Sequence, residues 1–157
     1  MNLKVSFSWI GLVIFALPML INVAYVLFPP AEKAAEASGA PRWVEGIEQV
    51  SRIAYLFAVT FLVSLRPLTP RSAWLSLAAV FLVLYYAAWI RYFAGGRKIA
   101  LLSRALLRVP MPLAIFPVLY FLCAAVWLHN PPAAILMVIF GAAHWTVSIR
   151  SFHSTKG

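Results

Sequence analysis

The sequence predicts an all-α membrane protein built as a bundle of five transmembrane helices, and three observations carry that expectation. Of its 157 residues 64% are hydrophobic and only 11% are charged, well beyond the roughly half apolar content of soluble domains. Apolar runs of span length recur along the chain, each bounded by proline, glycine or charge. A span takes about 20 apolar residues, so five fill the chain as a single membrane domain, residues 1–157.

The first span is expected over 5–28. Its apolar run after Lys4 is longer than the ~7–15 residues of a signal-peptide core, so it reads as uncleaved. Gly11, Phe15, Pro18, Asn22 and Tyr25 recur at helical spacing and share one face. Asn22 needs a hydrogen-bond partner in hydrocarbon, which turns that face into the bundle. The loop from Ala31 to Arg42 follows, with a short surface helix expected from Pro30 to Ala37.

Span two is expected over 43–65. Trp43 suits the interface, and Glu45, Glu48, Arg52 and Tyr55 share one face, with Glu48 and Arg52 spaced as an i,i+4 pair. Arg66-Pro67-Leu68-Thr69-Pro70-Arg71 is a turn, and Ser72 caps span three, 73–94. Tyr85, Tyr86, Trp89 and Tyr92 crowd the end of that span around Arg91, and Gly95-Gly96 stops it. The stretch 97–109 sets Arg97, Arg104 and Arg108 against Ile99, Leu102, Leu106 and Val109, which predicts an amphipathic surface helix. Span four, 111–128, turns at His129-Asn130-Pro131-Pro132 into span five, 133–150, where Gly141, His144 and Ser148 form a stripe.

A net charge of +9 in a soluble protein would suggest nucleic acid. Here the basic residues flank apolar spans, so they fix topology and meet lipid instead. Five antiparallel spans place the loop 31–42, the segment 97–108, Arg150 and Lys156 on one side, against Lys4, Arg66 and Arg71 on the other. The positive-inside rule then puts the N-terminus outside and the C-terminus in the cytoplasm, in the cytoplasmic (inner) membrane. Arg97, Lys98, Arg104 and Arg108 are expected against anionic headgroups.

The same parity gathers the polar groups. At 1.5 Å per residue Glu48 lies ~7 Å deep, Asn22 and His144 ~9 Å, and Arg52 and Tyr85 ~13 Å, all in the cytoplasmic half. The opposite half offers little beyond Thr60, Ser64 and His129. A polar-lined cavity in one leaflet is expected, lined from Asn22, Tyr25, Trp43, Glu48, Arg52, Tyr85, Tyr86, Trp89, Arg91 and His144. Glu48 and Arg52 fit a ligand site or an interfacial ion pair with Arg52 snorkelling to headgroups. His144 and Asn22 fit helix packing as readily as a ligand, and the aromatic end of span three fits an interfacial belt as well as a stacking wall.

Catalytic patterns are not visible. The chain has no Asp, one cysteine (Cys123, inside an apolar run) and no clustered metal-ligand spacing. The reading is of a binding or sensory protein rather than an enzyme, holding a hydrophobic, partly anionic small molecule. A small transporter using Glu48 and His144 as a relay, and a structural subunit of a complex, are the alternatives. Such a subunit would use the small-residue stripe of span five, and a homodimer is a compatible assembly.

Pro41-Arg42-Trp43-Val44 opening span two, and Trp89, Phe93 and Gly96 at the end of span three, resemble the tryptophan-rich sensory proteins, the TspO or peripheral benzodiazepine receptor family. Length, span count and loop position resemble that family over the whole chain. The resemblance implies a five-helix membrane fold with a cavity under the first long loop. It further implies a tetrapyrrole (haem or porphyrin) or sterol-like ligand. Residue by residue it carries over only Trp43, Trp89 and Phe93.

Overall fold

The computed structural model describes residues 2–32 and 39–154. Its elements in order are β1 (Leu3–Val5), α1 (Trp9–Leu27), α2 (Arg42–Phe61), β2 (Leu62–Ser64), α3 (Ala73–Ala94), α4 (Ala100–Ser103), α5 (Pro112–Trp127) and α6 (Pro131–Ser154). The described residues are 71% helical, so the all-α class stands. Most of the surface helix expected from Pro30 to Ala37 lies outside the described residues.

Three helices are long and apolar enough to cross a membrane: α1, α3 and the Pro131–Ser151 part of α6. Large apolar side chains such as Val26, Val83 and Ile135 stand more than 60% exposed on them, which a bilayer would cover and water would not favour. These are the features of a membrane protein. The α2 helix carries Arg42, Glu45, Glu48 and Arg52, which lower its hydropathy. The 16 residues of α5 rise only ~24 Å, short of a ~30 Å hydrocarbon core.

The chain's start differs from a helix beginning near residue 5. Leu3-Lys4-Val5-Ser6-Phe7-Ser8 alternates apolar and polar, the period of a strand. Accordingly β1 pairs antiparallel with β2, Leu3 opposite Ser64 and Val5 opposite Leu62. Ser6 and Ser8 extend the pairing by donating their N–H groups to Phe61 O and Thr60 O. Only then does α1 begin, with the Ser8 hydroxyl accepting from Gly11 N at 3.0 Å. The pairing also ends α2 at Phe61 rather than Leu65.

Close packing follows from the small and the helix-breaking residues. A Cβ on Gly11 would lie 1.8 Å from the Val59 carbonyl oxygen, so α1 and α2 touch backbone to backbone there. Pro18 has no N–H to give the Ile14 carbonyl one turn back. The Tyr120 hydroxyl of α5 fills that place at 2.9 Å. Thus Pro18 leaves an acceptor on α1 that docks α5.

Asn130 joins three elements at the sheet end. Its amide donates to Ala58 O at 2.9 Å and Leu62 O at 2.8 Å, closing the C-terminus of α2. Its Oδ1 accepts from Ala133 N at 3.1 Å and caps α6. Only 1% of Asn130 is exposed; the bonds to Ala58 O and from Ala133 N are buried, and that to Leu62 O is partly so. Nearby, Trp127 Nε1 donates to Thr69 O at 2.9 Å, fixing the turn before α3.

The stretch 97–109 is not one amphipathic helix. It holds the single turn α4, then Leu106 and Val109 exchange backbone hydrogen bonds across Leu107 and Arg108, both in the left-handed region. Arg91 causes the break: its guanidinium donates to the carbonyls of Leu101, Arg104 and Ala105, groups a continuing helix would have used itself. The expected partition survives in a different form. Leu101, Leu102, Leu106 and Val109 pack on the cluster of Tyr85, Trp89, Tyr92 and Phe116, while Lys98, Arg104 and Arg108 are exposed and Arg97 and Ile99 are both half-buried.

Candidate functional site

The polar groups meet through an ion pair that α2 sets by its own geometry. Glu48 and Arg52, one turn apart, bond at 2.6 Å between Oε1 and Nη2. From α6, His144 Nδ1 reaches the same Oε1 at 3.0 Å. A carboxylate only accepts, so Nδ1 carries the proton in this bond. The side chain of Glu48 is 8% exposed and that of Arg52 37%, so the acid is enclosed and the base reaches outward. Phe140, one turn before His144, stacks on the imidazole at 5.0 Å and lies 5.4 Å under the Arg52 guanidinium.

On the facing side, Asn22 of α1 finds the partner it was expected to need. Tyr85 of α3 donates its hydroxyl to Asn22 Oδ1 at 2.8 Å, leaving the Asn22 amide donors with only the Met19 sulfur at 3.7 Å. Between these groups lies a cavity of about 250 Å³. Asn22, Tyr25, Arg52, Tyr85, Trp89 and His144 line its polar part, and Glu48 sits directly behind Arg52 and His144. Its apolar part comes from residues such as Phe15, Phe121, Met137 and Phe140. Seven of the ten residues expected around a cavity are therefore together.

Three are not. Trp43 is 69% exposed at the start of α2 and does not line the cavity. Tyr86 faces α1 and donates to Leu17 O at 2.6 Å. Arg91, expected to line the cavity, is held by the backbone carbonyls of 101, 104 and 105. The expected stacking wall is also occupied by its own members. Trp89 stacks on Phe93 at 5.8 Å and packs against Tyr25 at 5.3 Å.

The cavity is rich in donors. Trp89 Nε1 is buried with no acceptor in full hydrogen-bond geometry, only the Tyr85 hydroxyl oxygen standing near it, the Asn22 amide has only a weak one, and Arg52 keeps guanidinium N–H groups beyond its bond to Glu48. A buried donor without a partner is costly, so an acceptor placed here gains more than it would at the surface. Pro117 likewise gives no N–H to the Leu113 carbonyl, and both residues line the cavity. Among the described residues no three His, Cys, Asp or Glu side chains cluster as metal ligands.

A second cavity of about 370 Å³ lies at the sheet end, lined by residues including Asn2, Ser64, Arg66, His129 and Asn130. The sequence showed those residues in isolation, without the strand pairing that assembles them. Comparison with models of known families, with curated proteins and with solved structures finds no match to the chain.

Proposed function

We propose that the protein is a membrane-embedded binding protein whose 250 Å³ cavity takes a slender amphipathic molecule with a carboxylate or carbonyl head. The observation that carries this reading is the convergence of Arg52, Trp89 Nε1 and the Asn22 amide on a space otherwise walled by apolar side chains. In this reading all five long helices cross the cytoplasmic membrane, with the N-terminus outside and the C-terminus inside. The α2 helix tolerates its charges because Glu48 and Arg52 neutralise each other against His144. Lys98, Arg104 and Arg108, exposed beside the cavity end of the bundle, suit anionic headgroups.

Size supports a chain over a macrocycle. Sites for drug-sized ligands run to roughly 300–1,000 Å³, and this one falls below them. A haem or porphyrin, which the likeness to tryptophan-rich sensory proteins points to, would require the helices to part. A fatty carboxylate would not.

Equilibrium binding of dodecanoate to purified protein tests the reading. Removing a charge-assisted hydrogen bond costs about 1.5–3 kcal/mol, so Arg52→Ala should weaken binding at least tenfold. Arg71→Ala, at the other end and outside both cavities, should change it less than twofold. Equal losses in the two variants would contradict the assignment.

A further inference from the structure

We infer that the two cavities are the two ends of one pathway through the bundle, closed by a single layer at Tyr55 and suited to a small carboxylate-bearing solute. The solute class rests on the binding reading above; the pathway itself rests on register. Along α5, Leu113, Pro117 and Phe121 line the first cavity at four-residue steps, and the next residue of that series, Ala125, lines the second. Along α6, His144, Phe140 and Met137 line the first cavity, and Ala134, three residues further toward the sheet end, lines the second. The two spaces therefore follow one seam between α5 and α6, about one turn, ~5–6 Å, apart.

Tyr55 of α2, packed with Phe121 and Met137, closes the seam. Tyr55 is fully buried and donates its hydroxyl to Phe121 O at 2.8 Å, with its ring 5.1 Å from that of Phe121. Ala58, Ala124, Ala125 and Ala133 in the adjoining core are 0–4% exposed and carry only a methyl each. Freeing the Tyr55 ring from its bond to Phe121 O would loosen this layer.

Charge is repeated at the two ends. The first cavity presents Arg52 and His144, the second Arg66 and His129. Arg52, which keeps N–H donors beyond its bond to Glu48, and Arg66 each offer a guanidinium to an anion.

Cysteine reporters test the pathway in sealed right-side-out and inside-out membrane vesicles. Cys123 is the sole native cysteine, so Cys123→Ser gives a silent background. In it, Ala134→Cys and Met137→Cys report the two cavities, with the impermeant, anionic thiol reagent 2-sulfonatoethyl methanethiosulfonate as probe. Ala134→Cys should react from the sheet side. Met137→Cys should react from the opposite side and also, slowly, from the sheet side. Tyr55→Phe, which deletes only the latch hydroxyl, should speed that sheet-side reaction at least tenfold. Met137→Cys that never reacts from the sheet side, with or without Tyr55→Phe, would overturn the pathway. If Met137→Cys fails to insert, Phe140→Cys on the same stripe takes its place. Protection by dodecanoate is scored separately from the cavity's own side: its failure would contradict the binding reading, whereas the pathway stands or falls on the sheet-side reaction.

Discussion

Gly11→Ala should remove most of the folded protein, at a cost of about 3 kcal/mol or more. The added methyl would sit 1.8 Å from the Val59 carbonyl oxygen, and the atom it meets is backbone, so no rotamer change relieves the clash. Either α1 separates from α2 or the β1–β2 pairing beside the contact breaks. Overpacking of a rigid contact commonly costs 1–3 kcal/mol, and here the register of two helices and a strand pair is at stake together. Gly46→Ala is the internal control, because nothing lies within 4 Å of a Cβ built there. Helix propensity should make that change neutral or stabilising by up to about 1 kcal/mol. Monodisperse yield and thermal unfolding in detergent measure both. A Gly11→Ala protein as stable as Gly46→Ala would mean that α1 does not pack as described.

Asn130→Ala should cost about 3 kcal/mol by a different route. It strips donors from Ala58 O and Leu62 O and the cap from Ala133 N, all in a residue 1% exposed. Each buried group left without a partner costs about 1–3 kcal/mol, partly offset where water enters from the cavity that Asn130 borders. Asn130→Asp keeps the cap to Ala133 but turns a carboxylate toward two carbonyl oxygens, so it should rescue little. Hydrogen exchange should show the loss first at the C-terminal turn of α2. Wild-type unfolding of Asn130→Ala would contradict the assignment of this residue as the joint between α2 and α6.

The gathering of polar groups was legible because it depends on little beyond helical rise. Asn22, Glu48, Arg52, Tyr85 and His144 stand at similar depth once five antiparallel helices are assumed, and the rise of 1.5 Å per residue does the rest. The intrahelical pair of Glu48 with Arg52 is fixed by spacing alone. What the sequence hid were bonds between a side chain and a distant backbone. Asn130 in an Asn-Pro-Pro stretch reads as turn chemistry, and nothing local reveals that the last carbonyls of α2 arrive beside it. Arg91 among aromatics reads as an interface residue, whereas its partners are carbonyls of residues 101, 104 and 105. Once those carbonyls were claimed, the amphipathic pattern of 97–109 could be satisfied without a helix. The strand β1 did leave a signal, the alternation from Leu3 to Ser8. It was outweighed by the apolar run that follows.

The most direct test of the binding reading is mass spectrometry of the small molecules that remain with gently purified protein. Wild-type protein should retain a carboxylate- or carbonyl-headed chain in near-stoichiometric amount, and Arg52→Ala should lose it while keeping its bulk phospholipid. The same molecules in the same amounts from both proteins would contradict a site built around Arg52, Asn22 and Trp89.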